Sequence, residues 1–245
     1  MKTLIVPDIH GHYKTLESLL QEAGVIDTEG NRLDGWHVVQ LGDLANCVRE
    51  SVNDDLDCLK TVGTWIDEML VGNHEYGYFD GGFGFGGFCH HPEIQVELNR
   101  IERQGLLSPS ALVGKDLDIL VTHAGYVPSE GIESASRGHE YAHLKWYQDY
   151  RHPLFSRVGW KRGGPDNSGG ILWSDWMEQK AHEFNQVVGH TPQKKGVQRR
   201  DYEKTGKWTI CIDLGAKSGK GATGLILDED DNIEYVSTSM SGNHW

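Results

Sequence analysis

The sequence predicts an α/β protein whose sheet is partly antiparallel. Apolar, β-prone runs alternate with segments of helical period through the first half of the 245 residues. Late in the chain, three β-prone runs follow one another with only turn residues between them, which favours hairpins. Several earlier runs end directly at Asp, Asn or His beside a glycine, so that neighbouring strand ends can aim polar side chains at one point.

The first half supplies two predicted strands and three predicted helices. Residues 3–6 form an apolar strand that Pro7 ends. Residues 12–23 have three leucines at helical spacing, with Gly24 as the expected C-cap. The other elements predicted for this half are a strand over residues 36–41 and helices over residues 54–70 and 92–103.

The second half is predicted as strands around a segment without clear period. Residues 117–121 are strongly strand-like, whereas much of residues 126–174 shows no regular hydrophobic pattern. We expect a lid or insertion at about residues 126–176, within a single domain that spans residues 1–245. Further strands are predicted over residues 186–188, 208–213, 223–227 and 233–237.

Composition is that of a soluble globular protein, with 38% hydrophobic and 24% charged residues. A net charge of −13 argues against general affinity for nucleic acids or anionic membranes. No apolar run is long enough to span a membrane or to form a signal peptide. The four cysteines show no CxxC pairing, so we expect free thiols in a reducing cytoplasm.

Five short strings place Asp, Asn or His beside glycine, most of them directly after predicted strands. A single such residue is often only a helix cap, and a lone His among 13 means little. The repeated context, an apolar run followed by a polar residue beside glycine, favours one shared site. Oxygen and imidazole ligands together suit cations such as Mn, Fe or Zn. The strings are Asp8-Ile9-His10-Gly11, Gly42-Asp43, Gly72-Asn73-His74-Glu75, Thr122-His123-Ala124-Gly125 and Gly189-His190-Thr191.

These motifs resemble those of the calcineurin-like metallophosphoesterase superfamily. The strings at His123 and His190, with Leu172-Trp173-Ser174-Asp175, resemble its phosphoprotein phosphatase branch, which includes bacteriophage lambda-type serine/threonine protein phosphatases. The resemblance runs from Asp8 to about Gly215. It implies a four-layer α/β/β/α sandwich of two mixed sheets, with a metal site at one sheet edge.

The resemblance also implies the site and its chemistry. Two divalent ions are expected, most simply Mn²⁺, with Fe, Zn, Ni and Mg as alternatives. A metal-bridging hydroxide would attack phosphorus, and His74 would protonate the leaving oxygen as the general acid. One ion would be held by Asp8, His10 and Asp43, and the other by Asp43, Asn73, His123 and His190, with Asp43 bridging.

The sequence departs from the branch after Asp43. Asn46 stands where an Asp would polarise His74, and Cys47 stands where an Arg would clamp phosphate. We therefore expect a weaker general acid, and relatively better turnover of substrates with good leaving groups. Substrate-contacting residues stay unassigned, and the candidate replacements for the missing Arg are Arg49 and the cations of the inserted segment, Arg137, Lys145, Arg151, Arg157, Lys161 and Arg162.

Several alternatives stay open. In the leading interpretation, the substrate is a phosphorylated protein. The alternative enzyme is a nucleotide phosphodiesterase or a dinucleoside polyphosphate hydrolase, whose substrate would be a nucleotide or other small-molecule phosphate. The alternative outside the enzymes is a non-catalytic binding module. The departures at Asn46 and Cys47 favour it. His139-Glu140-Tyr141-Ala142-His143 matches the HExxH of zinc peptidases, but no third ligand follows in register. Residues 82–87 match GxGxxG without the flanking strand and helix of a dinucleotide site.

Overall fold

Two mixed β-sheets form the centre of the protein. The structure is a computed structural model that describes residues 1–45, 51–79, 88–127 and 131–238. In the first sheet, the strand order is β11-β10-β1-β2-β3-β4. Neighbours from β1 to β4 run parallel, whereas β10 pairs antiparallel with β1 and β11. These strands are β1 (Lys2–Val6), β2 (Trp36–Gln40), β3 (Glu68–Leu70), β4 (Leu107–Ser108), β10 (Thr223–Leu227) and β11 (Ile233–Ser237).

The second sheet has the strand order β5-β6-β7-β9-β8. The central pairs β6–β7 and β7–β9 are parallel, and the two outer pairs are antiparallel. These strands are β5 (Ala111–Val113), β6 (Ile119–Val121), β7 (Asn185–Val188), β8 (Gln198–Tyr202) and β9 (Lys207–Cys211).

Helices cover the outer faces of the sheets. Helices α1, α2 and α4 lie on the side of the first sheet, and α5 packs on β5 and β6 of the second. The helices are α1 (Tyr13–Ala23), α2 (Val52–Lys60), α3 (Asn73–Phe79), α4 (Pro92–Arg103), α5 (Ala135–Gln148) and α6 (Pro153–Ser156), with 3-10 turns at Trp160–Arg162, Trp176–Glu178 and Ala216–Ser218.

Alternation along the strands divides the core into two parts. In β1, Leu4 and Val6 pack in the cluster that includes the helices, whereas Ile5 packs between the sheets. In β6, Leu120 faces the helix side and Val121 the inter-sheet side. Each sheet is therefore buried on both faces, which confirms the predicted four-layer α/β/β/α sandwich.

The predicted helix over residues 54–70 is wrong in its second half. Helix α2 ends at Lys60, where the hydroxyl of Thr61 donates to the carbonyl of Cys58. A tight turn follows, because the backbone N–H groups of Trp65 and Ile66 both donate to the carbonyl of Thr61. The chain then enters β3. Its hydrophobic residues have helical spacing, but hydrogen bonding to β2 makes the segment a strand.

Helix α5 lies in the segment where the sequence shows no clear period. Its buried residues are Ala135, Gly138, Ala142 and Trp146, three of which are small. Small side chains give a weak hydrophobic signal even when they pack closely. Strand β8 was likewise not predicted, because three consecutive residues, Arg199, Arg200 and Asp201, are charged. Its pairing with β9 at the sheet edge decides its structure.

None of the helices formed by the described residues combines the length and the apolar character needed for a membrane span.

Candidate metal centre

The predicted ligands lie where strands of both sheets end. Asp8 and His10 follow β1, Asp43 follows β2, and Asn73 opens α3 directly after β3. His123 and His190 follow β6 and β7 of the second sheet. Because these strands are parallel within each sheet, their carboxyl ends share an edge.

Backbone and side-chain hydrogen bonds join the two edges. The N–H of His190 donates to the Asp8 carboxylate at 3.0 Å, and His123 bonds through Nδ1 to the carbonyl of Leu41 at 2.9 Å. Within the first sheet, the N–H of His10 donates to the carbonyl of Asp43 at 2.9 Å. The structure therefore brings together all seven side chains that the sequence singled out.

Asp43 lies at the centre of the cluster, and its two carboxylate oxygens face different groups. Oδ2 is 3.5 Å from His10 Nε2 and 3.9 Å from His74 Nε2. Oδ1 is 3.6 Å from His123 Nε2 and accepts the backbone N–H of His74 at 2.9 Å. A carboxylate placed in this way can span two cations.

Four donor groups converge on the second-sheet side. His123 Nε2 is 3.1 Å from Asn73 Oδ1 and 3.1 Å from His190 Nδ1. Asp43, His123 and His190 form one of two buried groups, found among the described residues, whose ligand atoms all lie within 4.8 Å of one another. With Asn73, this is the set of side chains predicted for the second ion.

The other group consists of His10, Asp43 and His74, and it differs from the predicted set by containing His74 in place of Asp8. Asp8 is buried, and both its carboxylate oxygens accept the N–H of His190. His10 and His74 contact edge to face, with ring centroids 4.8 Å apart. Asp8 therefore lies next to the cluster and positions the loop that carries His190.

Backbone strain is concentrated at the same positions. Five non-glycine residues of the described ranges have positive φ, and three of them are His10 (50°), Asp43 (53°) and His190 (65°). This conformation costs of order 1–2 kcal/mol per residue outside glycine, and it persists where the surroundings enforce it. These backbone conformations direct the side chains of His10, Asp43 and His190 into the cluster.

Two glycines allow the loops to approach closely. A Cβ at Gly72 would overlap the backbone nitrogen and Oδ1 of Asp43, and a Cβ at Gly189 would overlap Oδ1 of Asp8. Both glycines therefore belong to the site, because any larger residue would displace a carboxylate.

Glu75 fixes the loop that carries Asp43. Its buried carboxylate accepts the N–H groups of Gly72 (3.0 Å), Asp43 (2.7 Å) and Leu44 (3.1 Å). Burial, followed by the nearby Asp43 charge, raises the pKa of Glu75 to about 8, whereas these N–H donors lower it. Glu75 thus ties the start of α3 to the end of β2.

Burial also disfavours charge on the other groups of the site. It raises the pKa of Asp43 to about 7, and burial and Asp213 raise that of Asp8. Burial lowers the pKa of His123 to about 3 and, with the neighbouring His74, lowers that of His10. Neutral imidazoles are the form that binds cations. A divalent ion would also stabilise the ionised form of the buried carboxylates, which burial alone disfavours.

The donor set fits divalent cations. Because Nδ1 of neutral His123 donates to Leu41, its Nε2 carries a lone pair that faces the oxygen of Asn73. Two acceptors at that separation repel each other unless a cation lies between them. His10 Nδ1 and His190 Nε2 are also buried without a hydrogen-bond partner among the described residues. These residues therefore provide an oxygen and nitrogen site suited to Mn, Fe or Zn.

The site opens into a cavity of about 320 Å³. Besides the residues already described, its lining includes side chains from residues 126–176 and from the loop after β9. Its lining comprises His10, Asp43, Asn73, His74, Arg162, Trp173, His190, Pro192, Asp213, Gly215 and Lys217.

Three charged residues of this cavity were not assigned to the site from the sequence. Asp213 follows β9 two residues before Gly215, so the pattern of the other strings could have identified it. Arg162 was one of seven candidate replacements for the missing Arg. It donates to Thr191 Oγ1 at 2.6 Å and lies 3.3 Å from Asp175. Lys217 follows no strand directly, and no sequence signal pointed to it.

Other sequence hypotheses fall elsewhere. Asn46, Cys47, Arg49 and the GxGxxG of residues 82–87 lie outside the described residues. In the HExxH helix, His139 and His143 contact each other with centroids 4.1 Å apart, and both bond to Ser110. Neither belongs to a group of three ligating side chains in the described ranges, so the structure does not support a zinc peptidase.

Comparisons with known proteins agree with this geometry. The sequence model of the calcineurin-like phosphoesterases matches residues 1–215. The match covers most of the chain, which therefore belongs to the calcineurin-like phosphoesterase family. Membership makes the protein a phosphoesterase and implies divalent metal ions. A comparison with curated protein sequences found no match.

Solved structures show the same fold at low identity. The cold-active protein-tyrosine phosphatase of a psychrophilic Shewanella species is 21% identical, with TM-score 0.59, over 96% of this chain and 80% of that chain. A protein serine/threonine phosphatase from Saccharomyces cerevisiae is 17% identical, with TM-score 0.55, over 98% and 80%. A protein described as a candidate diadenosine tetraphosphatase is 17% identical, with TM-score 0.52, over 96% and 93%. Similarities at these identities establish the fold alone.

Proposed function

We propose that the protein is a binuclear-metal phosphatase that hydrolyses phosphate monoesters, similar to serine/threonine protein phosphatases. His10, Asp43 and the adjacent Asp8 would hold one ion. Asp43, Asn73, His123 and His190 would hold the other. Manganese as the ion and a cytoplasmic location stay predictions from the sequence.

The observation that carries this proposal is the position of Asp43 between two groups of imidazoles. Its oxygens lie 3.5 Å from His10 Nε2 and 3.6 Å from His123 Nε2, so that one carboxylate serves both halves of the site. Divalent cations bound there supply an acidified water and neutralise the phosphoryl oxygens. The protein itself contributes ligand positions that Glu75 and the Leu41 carbonyl hold fixed.

His74 is proposed as the general acid. It is buried at the first turn of α3, lines the cavity, and has Nε2 3.9 Å from Asp43 Oδ2. An imidazole in this position can give its proton to the leaving oxygen of a phosphate ester. Its nearness to Asp43 also permits the alternative role of a metal ligand, and metal content in a His74 variant separates the two roles.

A second candidate function is hydrolysis of nucleotide phosphodiesters or dinucleoside polyphosphates. Trp160 favours it, because this ring is 59% exposed in the same 3-10 turn as the cavity residue Arg162. Exposed aromatic rings can stack on a nucleobase. The candidate diadenosine tetraphosphatase among the similar folds points in the same direction.

A substrate panel tests these functions. Purified protein with Mn²⁺ should hydrolyse para-nitrophenyl phosphate, and EDTA should abolish turnover. Faster hydrolysis of a phosphopeptide than of bis-para-nitrophenyl phosphate and diadenosine tetraphosphate supports the phosphatase, and the reverse order supports the second candidate. No metal-dependent turnover on any of the four would contradict both and favour a binding module.

A further inference from the structure

Lys217 extends into the metal-site cavity from outside the sequence motifs. It lies in the 3-10 turn Ala216–Ser218, which Gly215 and Gly219 bound in left-handed conformation. Its side chain is half-buried, and its Nζ is 3.4 Å from His74 Nε2. The turn thus places an ammonium group beside the proposed general acid.

Lys217 lies close enough to Asp43 and Asp213 for its charge to lower the pKa of both carboxyls, but it forms no ion pair with either. No Asp or Glu oxygen of the described residues lies within 4.0 Å of its Nζ, whereas Arg162 is paired with Asp175. Divalent ions bound at Asp43 would offset the negative charge of that carboxylate. Among the described residues, Lys217 is then a cation of the metal-site cavity that forms no ion pair, and an anionic ligand can bind its ammonium there.

We propose that Lys217 is a substrate-contacting residue whose ammonium binds a phosphoryl oxygen next to the leaving group. This inference rests on the proposed phosphatase function and names a contact that the sequence left unassigned. Lysine binds phosphate as a compact point charge, and it compensates here for Cys47, which replaces a phosphate-clamping Arg.

Lysine variants test the proposal by phosphate affinity as well as by turnover. Lys217→Gln should raise KM for para-nitrophenyl phosphate and the inhibition constant of inorganic phosphate by about 10- to 100-fold. Lys217→Met, which keeps the aliphatic stem, should behave in the same way, and Lys217→Arg should restore most of the affinity. Lys220→Gln is the matched control, because it removes the same charge from an exposed position three residues away.

Two further measurements separate the possible outcomes. Calorimetric titration of the Mn²⁺-loaded protein with inorganic phosphate reports the contact even if no substrate is turned over. An absence of turnover would contradict only the proposed function. Manganese content should be the same in wild type and in all four variants. Unchanged phosphate affinity in Lys217→Gln and Lys217→Met, or a loss of manganese in both, would overturn the assignment.

Discussion

His123 Nε2 lies 3.1 Å from His190 Nδ1, with the two rings arranged edge to face. The strands that precede these residues, β6 and β7, are parallel neighbours, so their ends deliver both imidazoles to one point. Nδ1 of His123 is engaged by the carbonyl of Leu41 from the other sheet. The pair therefore needs the packing of both sheets for its geometry.

Replacement of His190 should weaken metal binding without unfolding the protein. In wild type, Mn²⁺ at 100 times its dissociation constant should stabilise the fold by about 2.7 kcal/mol. His190→Gln should lose most of that increment, because the Asn73, His123 and Asp43 donors lose a partner. Thermal unfolding with Mn²⁺ or EDTA measures the difference, and the exposed His90→Gln is the control. Equal manganese stabilisation in wild type and His190→Gln would contradict the assignment.

Replacement of His74 should lower turnover while leaving the ions in place. Loss of a general acid costs about 10²- to 10⁴-fold in kcat, and more for poor leaving groups. His74→Asn should therefore lose more activity on an alkyl phosphate than on para-nitrophenyl phosphate. Metal analysis of the purified variant is the companion measurement. A lower manganese content in His74→Asn would instead make His74 a ligand.

Replacement of Glu75 should affect both stability and metal affinity. Glu75→Gln places an amide donor among the N–H groups of Gly72, Asp43 and Leu44, which leaves buried donors unpaired. We expect a loss of about 2–4 kcal/mol in the free energy of unfolding, with weaker manganese binding because Asp43 shifts. Urea unfolding and manganese titration measure these effects, and the exposed Glu93→Gln should change neither.

His182 should make the fold sensitive to acid at a point away from the metals. Burial lowers its pKa to about 4, whereas an unfolded chain has the ordinary value near 6.5. A depressed histidine pKa stabilises the fold above pH 6.5, and this stability is lost as pH falls towards 4.

Urea unfolding of metal-free protein at pH 7 and pH 5 measures this effect. Between these values, wild type should lose about 2 kcal/mol more than His182→Gln, because the unfolded chain takes up a proton that the folded chain does not. The same difference between the two proteins at both pH values would show that His182 is not responsible.

The sequence was informative about the site because its ligands lie in local motifs. Asp43 and His190 each follow a strand beside glycine, and that pattern depends on neighbours in the chain. Asp213, which follows β9 shortly before Gly215, shares part of that pattern, whereas Lys217 depends on where the 3-10 turn after β9 lies in the folded protein. Lys217 reaches His74 across 143 positions of sequence, a contact that no local pattern encodes.

The same distinction holds for the fold. The late β-prone runs Thr223–Leu227 and Ile233–Ser237 form strands with the predicted bounds. Strand β3 was misassigned as helix, because its pairing with β2 decides its structure. Helix α5 was missed, because most of its buried residues are small. Tertiary contacts therefore override local period where the periodic signal is weak.

Counting manganese ions is the most direct test of a site built around Asp43. Wild-type protein dialysed after loading should retain two ions per chain by metal analysis. Asp43→Asn has only one carbonyl oxygen to offer and should retain at most one, while the exposed Asp201→Asn should retain two. Two ions in the Asp43→Asn variant, or none in wild type, would contradict the account.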